Sequence, residues 1–346
     1  MCSKRDVFMV SGPRHLTNID WGDPNHRRCI AASLVQGVYV QERIRQESRN
    51  EVDIQVEMWW RFFSFTLLHP LHDNVDGSIF GAVYKWSNKS ARPPGAPKIV
   101  VAFRGTVTKA DSLRRDLQLN FNILTNQLHT TCRFDTAFDA LNTNVHKHGY
   151  ENVWIAGHSL GAALAMLASR KMAEEQGHFL QAHLFNPPFV SAPVERLRNE
   201  KVKLGLHIGL SLIAAGLSML VHDDRARIES HKGFSVLRSW VPFLYVNPQD
   251  DLCSGYVGYF SHQKVMNQIG AGSISCLAAQ HSVGDIVLSA FGKESKAGHL
   301  IPCARLTVNL SPAPDFRRAH GIHQWWADDL KIQCTEYTLP PLQALV

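Results

Sequence analysis

Val153-Trp154-Ile155-Ala156-Gly157-His158-Ser159-Leu160-Gly161-Ala162-Ala163-Leu164-Ala165-Met166-Leu167-Ala168 is the stretch that decides the fold. It opens with four apolar residues that suit a short buried strand and closes with seven dominated by strong helix formers. Between them stands a serine with glycine two positions away on either side. Strand, glycine-flanked serine, helix is the context of a nucleophile elbow, a sharp turn in which bulky neighbours would clash. The turn leaves the Ser159 hydroxyl at the start of the following helix. There the backbone N–H of Leu160 can donate to a developing oxyanion, aided by the helix dipole.

Upstream, Ile99-Val100-Val101-Ala102-Phe103 is a continuous apolar run of the kind found in strands covered on both faces. It pairs as a hairpin with 79–86 across the polar loop holding Arg92-Pro93-Pro94-Gly95. Residues 25–46 carry Ile30, Leu34, Val35, Val38 and Tyr39 at helical spacing, with Asp23 or Asn25 as N-cap. A second helical region covers 134–146, and further strands are expected at 182–185, 243–246 and 304–310. Helical stretches separate most of these strands, which predicts the α/β class: a mainly parallel sheet flanked by helices. The aromatic cluster Trp59-Trp60-Arg61-Phe62-Phe63-Ser64-Phe65 reads as core.

With 346 residues, 45% hydrophobic and 19% charged, the chain can bury a large core, and a single domain over 1–346 is expected. A net charge of +6 favours anionic partners, but the basic residues are dispersed and no nucleic-acid-binding motif accompanies them. Seven scattered cysteines with no CxxC pair suit reduced thiols in a cytosolic compartment. The N-terminus lacks the apolar run of a secretory signal, so the expected location is cytoplasmic. Cys2 alone is a weak lipidation signal. Neither His69-Pro70-Leu71-His72 nor His146-Lys147-His148 has the helical i, i+4 geometry of a zinc enzyme, and no metal or cofactor is implied.

A serine hydroxyl is a weak nucleophile at neutral pH and needs a histidine base with an orienting carboxylate, expected in the chain order Ser, Asp or Glu, His. After Ser159, the strand at 243–246 runs into Asn247-Pro248-Gln249-Asp250-Asp251, which offers two carboxylates. Beyond the strand at 304–310, Ala319-His320-Gly321-Ile322-His323 offers two imidazoles.

Val101-Ala102-Phe103-Arg104-Gly105-Thr106 followed by Gly157-His158-Ser159-Leu160-Gly161 resembles the class 3 (fungal-type triacylglycerol) lipase family. The resemblance implies an α/β-hydrolase fold and a serine carboxylic ester hydrolase acting on acyl esters or lipids. It assigns Thr106 to the oxyanion hole beside Leu160, and it favours Asp250 over Asp251 and His320 over His323. The family usually continues past the aspartate with Val-Pro or Pro-Val; here the chain reads Asp251-Leu252-Cys253, a departure that keeps Asp251 as a rival. Arg104 reads as structural, with a carboxylate such as Asp116 for a partner. Segments such as Asp20-Trp21 and Ala31-Ala32-Ser33-Leu34-Val35-Gln36-Gly37-Val38-Tyr39 resemble a plant lipase-like subgroup, some of whose members carry the label GDSL esterase/lipase. No Gly-Asp-Ser motif stands near the N-terminus here. Some lipase-like proteins are signalling or scaffold modules without turnover; those carry a large helical domain after the hydrolase fold, whereas this chain runs only about twenty residues past the histidine segment.

An insertion is expected at 196–240. Arg196, Arg198, Lys201 and Lys203 precede the apolar run 204–221, which barely reaches the ~18–20 residues needed to span a bilayer and contains His207. A buried helix or a mobile cap is the expectation, with peripheral contact to an anionic membrane as a further use of the same segment.

Overall fold

A computed structural model describes residues 13, 15–16, 18–47, 59–87, 91–106, 131–189, 236–268 and 301–338. Helix α1 (Pro24–Glu47) starts where the Asp23 side chain accepts the Asn25 N–H at 2.8 Å, with proline at the first helical position, where no donor is needed. Its stripe of Ile30, Leu34, Val35 and Val38 is fully buried. A single turn, α2 (Trp59–Phe62), leads into an antiparallel meander of β1 (Phe65–His72), β2 (Ile79–Trp86) and β3 (Ile99–Phe103). From β3 the sheet continues in parallel through β4 (Val153–His158), β5 (Gln181–Phe185), β6 (Phe243–Val246) and β7 (Ala304–Asn309). The last strand, β8 (Ile332–Tyr337), returns antiparallel to β7.

The eight described strands lie side by side in chain order. Parallel neighbours need crossovers, supplied in part by α3 (Cys132–His148) before β4, α4 (Leu160–Gln176) after it and α5 (Gly255–Gln268) before β7. Period-2 alternation then sorts side chains to two faces. Val101, Phe103, Ile155, Leu184 and Leu244 join one core with residues of α3 and α4. Val100, Ala102, Trp154, Ala156, Phe185 and Tyr245 join the other, shared with α1. Both faces are therefore buried, which is why β3 and β6 read as unbroken apolar runs.

The two outer strands β1 and β8 were not among the expected strands. Pro70 breaks the β signal in β1 and is tolerated there because the strand lies at the sheet edge, with irregular register between Leu67 and His69. Of the aromatic cluster, Trp60, Phe63 and Phe65 are core, while Phe62 is 54% exposed. The expected cap at 204–221 lies outside the described residues, as does Asp116. The end of the 196–240 insertion is seen: Leu237 and Trp240 are buried, and the Trp240 indole donates to the Leu180 carbonyl at 2.9 Å. No helix among the described residues is long and apolar enough to cross a membrane.

Candidate active site

The carboxyl ends of β3 to β7 converge, as the parallel register requires, and the residues that follow these strands meet there. Ser159 stands between β4 and α4 with φ 56 and ψ −126, a left-handed backbone that non-glycine residues rarely adopt. Its N–H is held by the Phe185 carbonyl at 2.9 Å. The turn can close because Gly157 has no side chain, since a Cβ there would stand 2.2 Å from the Gly161 carbonyl oxygen, and a Cβ on Gly161 would stand 2.5 Å from the Arg104 carbonyl oxygen. The start of α4 thus packs directly on the end of β3, bringing Gly105 beside the serine.

His320 closes the five-residue helix α6 (Phe316–His320), capped by the Asp315 side chain accepting the Arg318 N–H. Its Nε2 lies 3.0 Å from Ser159 Oγ and its Nδ1 lies 2.8 Å from Asp250 Oδ2. A neutral ring with Nδ1–H donating to the carboxylate and Nε2 accepting from the hydroxyl satisfies both contacts. Asp250 and His320 are buried, and Ser159 is only 2% exposed. Asp251 turns outward and is exposed. His323 sits in the following 3-10 turn, Ile322–Trp326. Leu160 opens α4, so its N–H is one of the first-turn donors without an acceptor inside the helix. Thr106 is exposed at the end of the described run from β3.

Asp250 is held from several sides. Oδ2 also accepts from Asn186 Nδ2 at 2.7 Å and from the Cys253 thiol at 3.2 Å, while Oδ1 accepts the Leu252 N–H at 3.1 Å. Burial, with the Asp250 charge beside it, pushes the Cys253 thiol well above its usual range, so it keeps its proton and donates. Cys253 belongs to the segment in which the chain departs from the family pattern. The carbonyl of Ala319, next to His320, accepts from Asn186 Nδ2 at 3.1 Å and from Gln324 Nε2 at 2.6 Å. Gln324 Oε1 in turn accepts from Asn247 beyond β6 and Asn309 of β7, each at 2.8 Å, tying the histidine loop to two strand ends.

A second network reaches the site from α1. The Gly105 N–H donates to Tyr39 Oη at 2.7 Å, the Tyr39 hydroxyl donates to His158 Nδ1 at 2.8 Å, and His158 Nε2–H donates to the His320 carbonyl at 2.7 Å. These directions fit one neutral tautomer of His158. Burial pushes the Tyr39 hydroxyl well above the ordinary tyrosine range, keeping the phenol protonated.

Arg104 is structural, and the described residues supply several partners for it, while the expected Asp116 lies outside them. Its fork donates to the carbonyls of Ile79 at 2.6 Å and Gly105 at 2.7 Å, and its guanidinium lies 3.9 Å from the Glu42 carboxylate. Burial opposes the Glu42 charge, but hydrogen bonds from Arg45, the Ile79 N–H and Gln46, with Arg104 nearby, outweigh it and hold that carboxyl below its usual range.

Sequence reasoning missed Tyr39, His158, Asn186, Cys253 and Gln324 as parts of this site. Tyr39 was visible as a member of an apolar helix stripe and His158 as the residue before the serine, each inside a stretch of family resemblance that gave it no role. The Asn186-Pro187-Pro188 turn after β5 was the one local signal that could have drawn attention to Asn186.

Residues 100–190, from β3 through the elbow to the turn after β5, match the lipase (class 3) family. Across 97% of this chain and 99% of that protein, the sequence is 44% identical to a GDSL esterase/lipase of Arabidopsis thaliana. The chain belongs to the class 3 lipase family and is a carboxylic ester hydrolase. A solved fungal esterase from Rhizomucor miehei overlaps with a TM-score of 0.32 and 13% identity, covering 76% of this chain and 83% of that one. That overlap is too low to bear on the assignment.

Proposed function

We propose that the protein hydrolyses acyl lipids through a Ser159-His320-Asp250 triad, with Thr106 and the Leu160 N–H as oxyanion hole. The observation that carries this reading is the His320 ring bridging Ser159 Oγ at 3.0 Å and Asp250 Oδ2 at 2.8 Å. Ser159 Oγ adds to the ester carbonyl carbon while its proton passes to His320 Nε2. Asp250 stabilises the imidazolium without taking its proton. The tetrahedral oxyanion is met by Thr106 and Leu160. Collapse breaks the bond to the alcohol, which leaves with the proton from His320, and an acyl-serine remains. Water then attacks with the same histidine as base, releasing the carboxylic acid. The lipid class of substrate is supported by the family description and by the relative's label.

A fluorophosphonate probe followed by peptide mapping tests the chemistry, and p-nitrophenyl esters of increasing acyl length test the substrate. Labelling is expected on Ser159. Ser159→Ala is expected to keep its fold and lose at least about a thousandfold in kcat. Turnover by that variant at the wild-type rate would refute the mechanism; a rate highest on acetate and falling with chain length would refute the lipid reading.

A further inference from the structure

Asn186 follows β5 with φ 45, so a non-glycine residue occupies the left-handed region in a fully buried position. Asparagine tolerates that backbone better than most residues, and a simple turn role would account for it as far as that goes. Its side chain does much more. The amide oxygen accepts the Trp325 indole N–H at 2.6 Å, and the amide nitrogen donates to Asp250 Oδ2 at 2.7 Å and to the Ala319 carbonyl at 3.1 Å. The backbone N–H is held by the Tyr245 carbonyl at 2.8 Å. The indole bond also fixes which end of the amide faces the carboxylate, because an indole N–H can only donate.

Resting on the triad reading above, we propose that Asn186, oriented by Trp325, is a positioning residue for the reaction. One amide contacts the Asp250 carboxylate and the backbone before His320 at the same time, so a single side chain links the acid directly to the segment that carries the imidazole. The hydrogen bond from Asn186 also shares the Asp250 charge. Without it the charge falls more fully on His320, which favours the imidazolium. Among the described residues, the titratable groups around this pair are His158, whose ring centroid lies 5.0 Å from that of His320, and Cys253 on Asp250.

Asn186→Gly separates the two roles, because glycine accepts the backbone freely but lacks the amide. On p-nitrophenyl butyrate, kcat is expected to fall about thirtyfold with KM within about twofold, and the acid limb of kcat/KM to move up by about half a pH unit. Asn186→Asp keeps the size but sets a second carboxylate against Asp250, and it is expected to lose at least as much. Trp325→Phe keeps the ring packing on Phe185 and Tyr245, removes only the N–H, and is expected to cost about threefold.

A readout independent of turnover is the low-field proton resonance of the His320 Nδ1–H. It is expected in the wild type and shifted or lost in Asn186→Gly. The proposal is overturned if Asn186→Gly keeps kcat within about twofold with the resonance and acid limb unmoved. Should the glycine variant not fold, Asn186→Asp with wild-type kcat and an unmoved resonance overturns it equally. A wild-type protein that turns over no ester but whose resonance moves in these variants sinks the hydrolase reading and leaves the positioning role standing.

Discussion

The two halves of the site are built in opposite ways. The proposed acid-base half, Asp250 and His320, is buried and held by several partners at once, among them Asn186, Cys253 and Gln324 from strand ends and loops after β5. The proposed oxyanion half ends in an exposed Thr106, and its backbone is held from outside the sheet by α1, through Tyr39 on Gly105 and Glu42 near Arg104. A base must hold its ring in one orientation while it takes and returns a proton, which rewards many rigid contacts. A donor aimed at a charge that appears only in the transition state must stay open to substrate. The halves meet at the elbow, where Ser159 is flanked by His158, which bonds to Tyr39 on one side and to His320 on the other.

Removing the base should show the largest effect. His320→Ala is expected to lower kcat about a thousandfold or more, whereas His323→Ala stays within about threefold; steady-state kinetics on one short ester compares them directly. An equal loss in both would erase the distinction between the histidines. Thr106→Val tests the open half. It keeps the shape and removes Oγ, and about a hundredfold loss in kcat is expected if that hydroxyl meets the oxyanion. A loss below about threefold would leave the backbone donors as the whole hole.

Tyr39→Phe probes the join. The Gly105 N–H and His158 Nδ1 both lose their partner, and kcat is expected to drop about tenfold. If the halves are independent, Tyr39→Phe combined with Thr106→Val loses the product of the two single effects; coupling through His158 would appear as a smaller combined loss.

Glu42→Gln should touch stability more than rate. The Glu42 carboxyl is held below its ordinary value, so its charge contributes stability above that value and the contribution is lost as pH falls through the folded-state pKa. The variant is therefore expected to melt lower than wild type at pH 7, with the gap closing as pH drops below about 4.5. A gap that persists unchanged in acid would mean that shape rather than charge is at work.

Much of the parallel sheet was legible because β3, β6 and most of β4 are apolar runs and its elbow is a local event. The outer strands were not, since Pro70 in β1 and the alternating exposure of β8 carry no continuous apolar signal. In the site, the residues alone left Asp250 beside Asp251 and His320 beside His323, and only the family resemblance ranked them.

What the sequence determined by itself is therefore the elbow at Ser159. A strand, two glycines and an alanine-rich helix interact with near neighbours, and their conformation follows from propensity and sterics over a few residues. What only the tertiary structure decided is which groups surround that serine. Tyr39 meets His158 across 119 positions, Asn186 meets Asp250 across 64, and Trp325 meets Asn186 across 139. Their hydrogen bonds tolerate errors of only a few tenths of an ångström, and the elements that bring them together are set by the whole sheet.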